Sequence, residues 1–375
     1  MTIEQEVAPR AKSRRAALIA AAVLSLPLTV AAPAKAGVLS ASVTASVSIY
    51  AVGLNNPRGL KFGPDGNLYV AEGGTGGGHS TGNQCPQVVP PIGPYTGSET
   101  GGRISKVDAN HVVTTVIDSF ASDQTSPGSG GLVSGVADVG FIGNTLYALT
   151  SGGGCSHGVS QPNGIFRVNA NNTATQIADL SAFQHAHPTA VIEPDDFEPD
   201  GTWYSMVVVR DAFYAVEPNH GEIDKITTDG AISRVIDVSA SQGHVVPTAL
   251  AYHGNFYVGN LGTFPQDIGS SKVWKVTPSG QIKADSTGFD LVLGLAFDSR
   301  DRMYVLEMAA QHPAPAPFAG RVTRVLPNGS KEIVADGLMF PTGMTMGPDG
   351  NLYVSAFGFG MPAGAGQVLK IDLSQ

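Results

Sequence analysis

The sequence predicts an all-β architecture built from one repeated unit, and three observations carry that prediction. The heptapeptide Pro64-Asp65-Gly66-Asn67-Leu68-Tyr69-Val70 returns near the other end as Pro348-Asp349-Gly350-Asn351-Leu352-Tyr353-Val354. Asp-Gly ahead of Leu-Tyr-Val is a tight turn feeding a strand, because glycine accepts positive φ and branched or aromatic side chains suit a pleated surface. A strand tyrosine recurs at Tyr69, Tyr147, Tyr214, Tyr257, Tyr304 and Tyr353, with spacings of 78, 67, 43, 47 and 49 residues. The last three spacings match the roughly 40–50 residues of a four-stranded blade, and the first two require insertions. Finally, 47 glycines and 25 prolines punctuate short apolar runs, with no long helical periodicity between them. The prediction is a single six-bladed β-propeller of four-stranded antiparallel blades.

Residues 1–36 read as an export signal, leaving 37–375 for the propeller. Arg10, Lys12, Arg14 and Arg15 precede an apolar stretch from Ala16 to Val30, and Ala34-Lys35-Ala36 is a small-x-small cleavage pattern. That stretch is about 15 residues, short of the roughly 20 needed to span a bilayer, so cleavage is expected rather than a retained anchor. Arg14-Arg15 has a loose twin-arginine character, but an ordinary secretory route is the simpler expectation. Secretion or a periplasmic location follows. No later segment is long and apolar enough to cross a membrane.

Unit one shows the blade anatomy: Pro57 to Phe62, the Asp65-Gly66 turn, the Tyr69 strand, Gly102 to Asp108, a turn at Asn110, and Val112 to Ile117. Unit five repeats it with Leu293 to Phe297, Met303 to Leu306, Arg321 to Leu326 and Lys331 to Ala335. Both follow antiparallel meander logic. Unit six ends after Gln367 to Asp372, its third strand, so Val47 to Val52 is expected to close the ring as the missing fourth. An open solenoid with capped ends is the alternative.

Insertions fall between the second and third strands: 73–101, 151–163, 262–270, 308–319 and 357–365. The slot is equivalent in every blade, so these loops share one face of the disk. The long connection 181–202 is expected to reach the same face. Cys85 and Cys155 lie in insertions of neighbouring blades. In an exported chain an even pair points to a disulfide, with two separate thiols as the alternative. Net charge is -9, and the first 36 residues carry five Lys/Arg against two Asp/Glu, so the remainder is more acidic still. Nucleic acid is therefore excluded as an expected partner. A monomer is the expectation.

Three positions beyond each tyrosine stand Glu72, Thr150, Glu217, Asn260, Glu307 and Ala356. If Glu72, Glu217, Asn260 and Glu307 converge on the channel mouth, their oxygens suit a hard divalent cation such as calcium, which would also act as a Lewis acid on a lactone or ester. Arg58, Tyr204, Thr248 and Thr342, at the start of strand one, face the same mouth. The competing expectation is a wet channel whose polar residues pair among themselves. His220, just beyond Glu217, is the histidine best placed to act as a base, or it only shapes the turn. His185-Ala186-His187, with Glu193, Asp195, Asp196 and Glu198 following, could share a metal if extended, since alternate side chains then face one way. A solvated loop is the simpler reading. Gly78-His79-Ser80-Thr81-Gly82 matches a nucleophile elbow in letters only, because no strand and helix flank it.

Asn56-Pro57-Arg58-Gly59-Leu60, the run from Phe62 to Glu72, and Thr100-Gly101-Gly102-Arg103-Ile104-Ser105-Lys106-Val107-Asp108 resemble the opening blade of the bacterial ScyD/ScyE family. Pro199-Asp200-Gly201-Thr202-Trp203-Tyr204 and Ala215 to Gly221 resemble its third blade. The resemblance covers most of the chain beyond the signal. It implies an exported propeller of NHL-like repeats, some members being linked to clusters that make the pigment scytonemin. It supplies no catalytic residue set. The expected function is a binding or scaffold protein that holds a small molecule, glycan or protein partner at the loop-rich face. The alternative is a metal-dependent hydrolase or lactonase using the channel-mouth carboxylates.

Overall fold

The computed structural model describes residues 45–191, 197–311 and 315–374. Six antiparallel sheets form a six-bladed β-propeller, as the repeat requires. Blade 1 comprises Pro57–Phe62, Leu68–Glu72, Thr96–Val107 and Val113–Gln124, with a short fifth strand Val133–Ser134. Blade 2 comprises Val136–Ile142, Thr145–Thr150, Gly164–Val168 and Ala174–Asp179. Blade 3 comprises Ser205–Val209, Ala212–Glu217, Glu222–Thr227 and Ile232–Asp237. Blade 4 comprises Pro247–His253, Asn255–Asn260, Ser271–Val276 and Ile282–Phe289. Blade 5 comprises Val292–Phe297, Met303–Glu307, Gly320–Val325 and Lys331–Leu338. Blade 6 takes Gly343–Met346, Leu352–Ala356 and Gly366–Asp372 from the end of the chain and Ser46–Leu54 from its start. The closing strand pairs antiparallel from Ser46 opposite Asp372 to Leu54 opposite Gly366. The export signal expected over 1–36 lies outside the described residues.

The repeated tyrosine is a seam residue. Tyr69 meets Phe141, Tyr147 meets Phe213, Tyr214 meets Phe256 and Tyr257 meets Phe297, in each case on the next blade, with ring centroids 4.6–5.0 Å apart. Tyr353 closes the series against Phe62 at 4.9 Å. Each ring pair lies in an apolar cluster filling one inter-blade seam, and each fully buried side chain there contributes about 1.5–3 kcal/mol. The turn ahead of the tyrosine strand is tied to it. Tyr69, Tyr304 and Tyr353 donate to Asp65, Asp298 and Asp349 at 2.9, 3.1 and 3.0 Å. Gly66 and Gly350 hold φ of +79° and +78° in these turns, a region closed to most side chains.

A recurring backbone bridge places the functional loops. The residue entering strand one has positive φ in four blades, at Asn56, Val246, Leu291 and Phe340. Gly73, Leu261 and Met308, just past strand two, donate to the carbonyls of Asn56, Val246 and Leu291 at 2.9 Å each. Phe357 and Gly358 bond likewise to Met339 and Phe340. These bridges bring the blade-to-blade connections and the second-to-third-strand insertions to one face. The connection ahead of blade 3 departs from the expected loop in carrying a helix, Leu180–Ala186, capped by Asp179 through the amide of Ala182.

Candidate functional site

The loop-bearing face centres on the channel mouth, where strand-one entries knit the blades together. Arg58 donates to the carbonyl of Val133 at the entrance to blade 2. The amide of Met206 in blade 3 donates to Asp138 of blade 2 at 2.8 Å. Ser205 bonds to the Thr248 carbonyl at 2.7 Å, and Thr248 in turn to that of Val292 at 2.5 Å. Thr342 of blade 6 reaches Pro57 of blade 1 at 2.5 Å. Thr248 and Thr342 thus act as inter-blade fasteners, while Arg58 ties strand one of blade 1 to that blade's own fifth strand. Tyr204 does something different. Its phenol spans the channel from blade 3 and donates to the Thr342 carbonyl on the opposite blade at 2.7 Å.

That ring lies across the channel. Beneath it lies a cavity of about 30 Å³, lined by strand-one residues of all six blades, including Lys61, Asp138 and Leu295. Burial raises the Tyr204 phenol above its usual pKa, despite the neighbouring Arg58 guanidinium. Burial likewise raises Asp138, with Lys61 pulling the other way. Of Arg58, Tyr204, Thr248 and Thr342, Tyr204 and Thr342 line this cavity.

The converging carboxylate ring does not form. Side chains alternate across a strand, so the position three beyond the tyrosine points onto the blade's own face, toward its third strand, rather than into the channel. Glu72 lies opposite Arg103 and takes its guanidinium in a bidentate pair at 2.9 and 2.6 Å. Glu307 lies opposite Arg321 and does the same at 2.8 Å twice, with Thr323 adding 2.7 Å. Glu217 accepts the amides of Thr202 at 2.8 Å and His220 at 2.5 Å. Asn260 bridges the Val245 carbonyl and the Lys272 amide. Among the described residues, no three His, Cys, Asp or Glu side chains are placed to hold a metal ion. Glu72, Glu217, Asn260 and Glu307 are thus each engaged with protein partners in this structure.

His220 is buried against Phe197, ring centroids 5.0 Å apart, with its Nδ1 at 3.3 Å from Glu217. Burial opposes its protonation, but the Glu217 carboxylate more than offsets this and raises its pKa. His185 and His187 serve separate backbone carbonyls, of Pro199 and Phe183, because the segment is helical rather than extended. Glu193, Asp195 and Asp196 lie outside the described residues. His79 and Thr81 bond to the carbonyls of Gly158 and Cys155, both at 2.6 Å, so the elbow-like letters serve loop packing. Cys85 and Cys155 form the disulfide that joins the first two insertions.

A polar junction that no sequence spacing announces lies beside this disulfide. His157, 1% exposed, is hydrogen-bonded through Nδ1 to Asp123 of blade 1. Its ring packs at a tilt on Tyr95, centroids 4.6 Å apart, and the Tyr95 phenol donates to Glu198. Glu198 is pushed up to about 7 by burial, with His157 and Tyr95 opposing. Nearby, Glu222 pairs with Arg234 and accepts from Gln184 at 3.1 Å, and burial raises it to about 7. Asp224, buried beside Glu222, is raised well above the carboxylate range by burial and by that neighbour. Glu198 belonged to a recognisable acidic run, but its partners come from four other segments, so only the folded chain reveals them.

Over blades 4–6 the same face is apolar. Leu291, Leu293 and Met308 form a buried floor against Tyr204, Leu261 and Phe359, and Phe340 packs on Phe359 at 5.6 Å. Above it, Phe264 and Ile268 in the blade 4 insertion and Phe318 in the blade 5 insertion are 53%, 77% and 61% exposed.

The chain matches no protein-family model, and no curated protein matches it. Solved structures share its architecture. Regucalcin, a calcium-binding protein from Agrobacterium tumefaciens, aligns with TM-score 0.53 and 12% identity over 89% of this chain and 95% of its own. A gluconolactonase from Xanthomonas campestris aligns with TM-score 0.52 and 10% identity over 87% and 89%. A Bacteroides thetaiotaomicron protein of unknown function aligns with TM-score 0.53 and 10% identity over 87% and 75%. At such identities the likeness shows the fold alone, a six-bladed propeller.

Proposed function

We propose that this chain is an exported β-propeller of the ScyD/ScyE type that binds a protein partner on the apolar half of its loop-bearing face. The observation that carries the reading is the exposure of Phe264, Ile268 and Phe318 on adjacent insertions above a closed channel. Large apolar side chains grouped on one exposed face mark interaction surfaces. The channel cavity of about 30 Å³ is far below the roughly 300–1,000 Å³ of small-molecule sites, which favours a surface partner over a channel ligand. The Thr248–Val292 and Thr342–Pro57 fasteners tie the strand-one entries of blades 4 to 6 to their neighbours, which lowers the ordering cost of binding there.

A photo-crosslinking residue at position 264 or 318, in cells that produce and export the chain, is expected to give a discrete adduct. The same residue at Asp285 on the outer strand of blade 4 is expected to give none. Equal labelling at both places, or none at 264 and 318, would refute the surface. The alternative, a calcium-dependent lactonase or other metal-dependent hydrolase, shares its fold with the Xanthomonas gluconolactonase. It would need Glu72 and Glu307 released from Arg103 and Arg321. A melting temperature that drops on chelation, with esterase activity lost in Glu72→Gln, would favour it instead.

A further inference from the structure

His157 sits where five chain segments meet. Tyr95 comes from the first insertion, Asp123 from the fourth strand of blade 1, and His157 itself from the second insertion. Glu198 and Asp200 come from the connection ahead of blade 3, and Asn219 and His220 from the turn within that blade. The Glu198 amide donates to Asn219 at 2.9 Å, and Asp200 accepts from the Ser156 amide at 2.8 Å and hydroxyl at 2.6 Å. The contact between the His157 ring of the second insertion and the Glu198 carboxylate of the connection ahead of blade 3 lacks a hydrogen bond. Nε2 of His157 and Oε2 of Glu198 face each other at 4.0 Å, both buried, and neither has a hydrogen-bond partner among the described residues.

We propose that His157 is a proton-operated latch: as an imidazolium between Asp123 and Glu198 it holds residues 197–201 against the first two insertions, and on losing its proton it releases them. The chemistry follows from what each ring nitrogen meets. Nδ1 is committed to Asp123, so a neutral ring must present the Nε2 lone pair to Glu198. A lone pair facing a carboxylate has no hydrogen to share. With a proton on either His157 or Glu198 the contact becomes attractive, and without it two buried anions flank a neutral ring. Unpaired buried charge of that kind is costly.

Among the described residues, the groups acting most strongly on the pair are carboxylates and a phenol rather than a fixed cation. Asp123, Asp200 and Glu198 act on His157, and Tyr95, Glu217 and Asp123 act with His157 on Glu198. His220, across the turn, is itself a titrating cation held by Glu217. Burial disfavours the His157 imidazolium, but Asp123, with Glu198 and Asp200, more than offsets this and raises its pKa. Glu198 rises from 4.5 to about 7 through burial. Both groups thus hold protons more tightly in the folded chain than in the unfolded one, so the stability they contribute is present at acid pH. It is lost as pH climbs through about 7 and through the raised His157 value. The Cys85–Cys155 disulfide joins the two insertions whatever the protonation, so the piece set free is the 197–201 connection.

Hydrogen exchange on the full disulfide-bonded chain tests the latch. After correction for intrinsic rates, segments 155–160 and 197–201 are expected to exchange about tenfold faster at about pH 8.5 than at about pH 6. Blades 4 and 5 should change by less than about twofold. Glu198→Gln keeps an acceptor for Tyr95 and offers His157 an N–H that does not titrate, so its local response should be flat across this range. His157→Gln serves as a second probe if it folds. A wild-type response spread evenly around the ring, no response at all, or an undiminished response in Glu198→Gln would each overturn the proposal. A nitrogen NMR titration placing His157 at or below its ordinary value would do so as well.

Discussion

The two halves of the loop-bearing face are built by opposite means. Over blades 1–3, acids and histidines are buried and bonded to one another, and a disulfide ties the insertions that carry them. Over blades 4–6, the buried floor is aliphatic and large apolar side chains stand in solvent above it. The blades beneath are nearly equivalent, with the same seam tyrosines and the same bridges from strand-two exit to strand-one entry. The difference teaches that a repeat frame leaves its insertions free to diverge, because loop length and composition barely affect the seams. The first half spends its polar groups on holding itself together, and the second leaves apolar area uncovered.

Changes confined to one half should break this contrast in order of size. Removing the disulfide with Cys85→Ser and Cys155→Ser should cost about 4 kcal/mol, from the loop-closure entropy of its 70-residue separation. Chemical denaturation would read that loss, and proteolysis should cut first in the polar half. Arg321→Ala, in the apolar half, leaves Glu307 buried with only neutral donors and should cost about 3 kcal/mol. An equal loss in the double variant Arg321→Ala/Glu307→Gln would show that the charge is not the cause.

Glu222 is raised to about 7 and so binds its proton more tightly when folded. The melting temperature of the wild type should therefore fall between about pH 5 and 8, and Glu222→Gln should flatten that slope. Tyr204 joins the halves across the channel. Tyr204→Phe removes its bond to the Thr342 carbonyl and its hydrogen bond with Arg58, and should cost at least about 1 kcal/mol in thermal unfolding. Phe264→Ser with Phe318→Ser should change stability by less than about 0.5 kcal/mol while abolishing the crosslinked adduct. A large loss of stability from that pair would mean the side chains pack rather than bind.

Much of the frame was legible in the residues. The tyrosine period named six blades because each tyrosine fills one seam, and the strand shortage after Asp372 named the N-terminal closure because an open edge must be paired. The insertion slot and the cysteine pair followed from the same register. The residues three beyond each tyrosine occupy equivalent positions at the ends of the second strands. Glu72 and Glu307 meet the third-strand arginines at 103 and 321, whereas Glu217 accepts two backbone amides and Asn260 bridges backbone groups, pairings that the spacing alone does not reveal.

The sequence by itself determined the repeat, the blade count and the face on which the loops emerge, since period-two alternation, turn glycines and seam aromatics are local signals. Only the tertiary structure decided that Tyr204 crosses to blade 6 and that His157 lies between Asp123 and Glu198. Those pairings join residues 34 to 138 positions apart, from segments whose spacing follows no period. Their chemistry exists because burial removes water from between them, and burial is a property of the closed ring rather than of any stretch of chain.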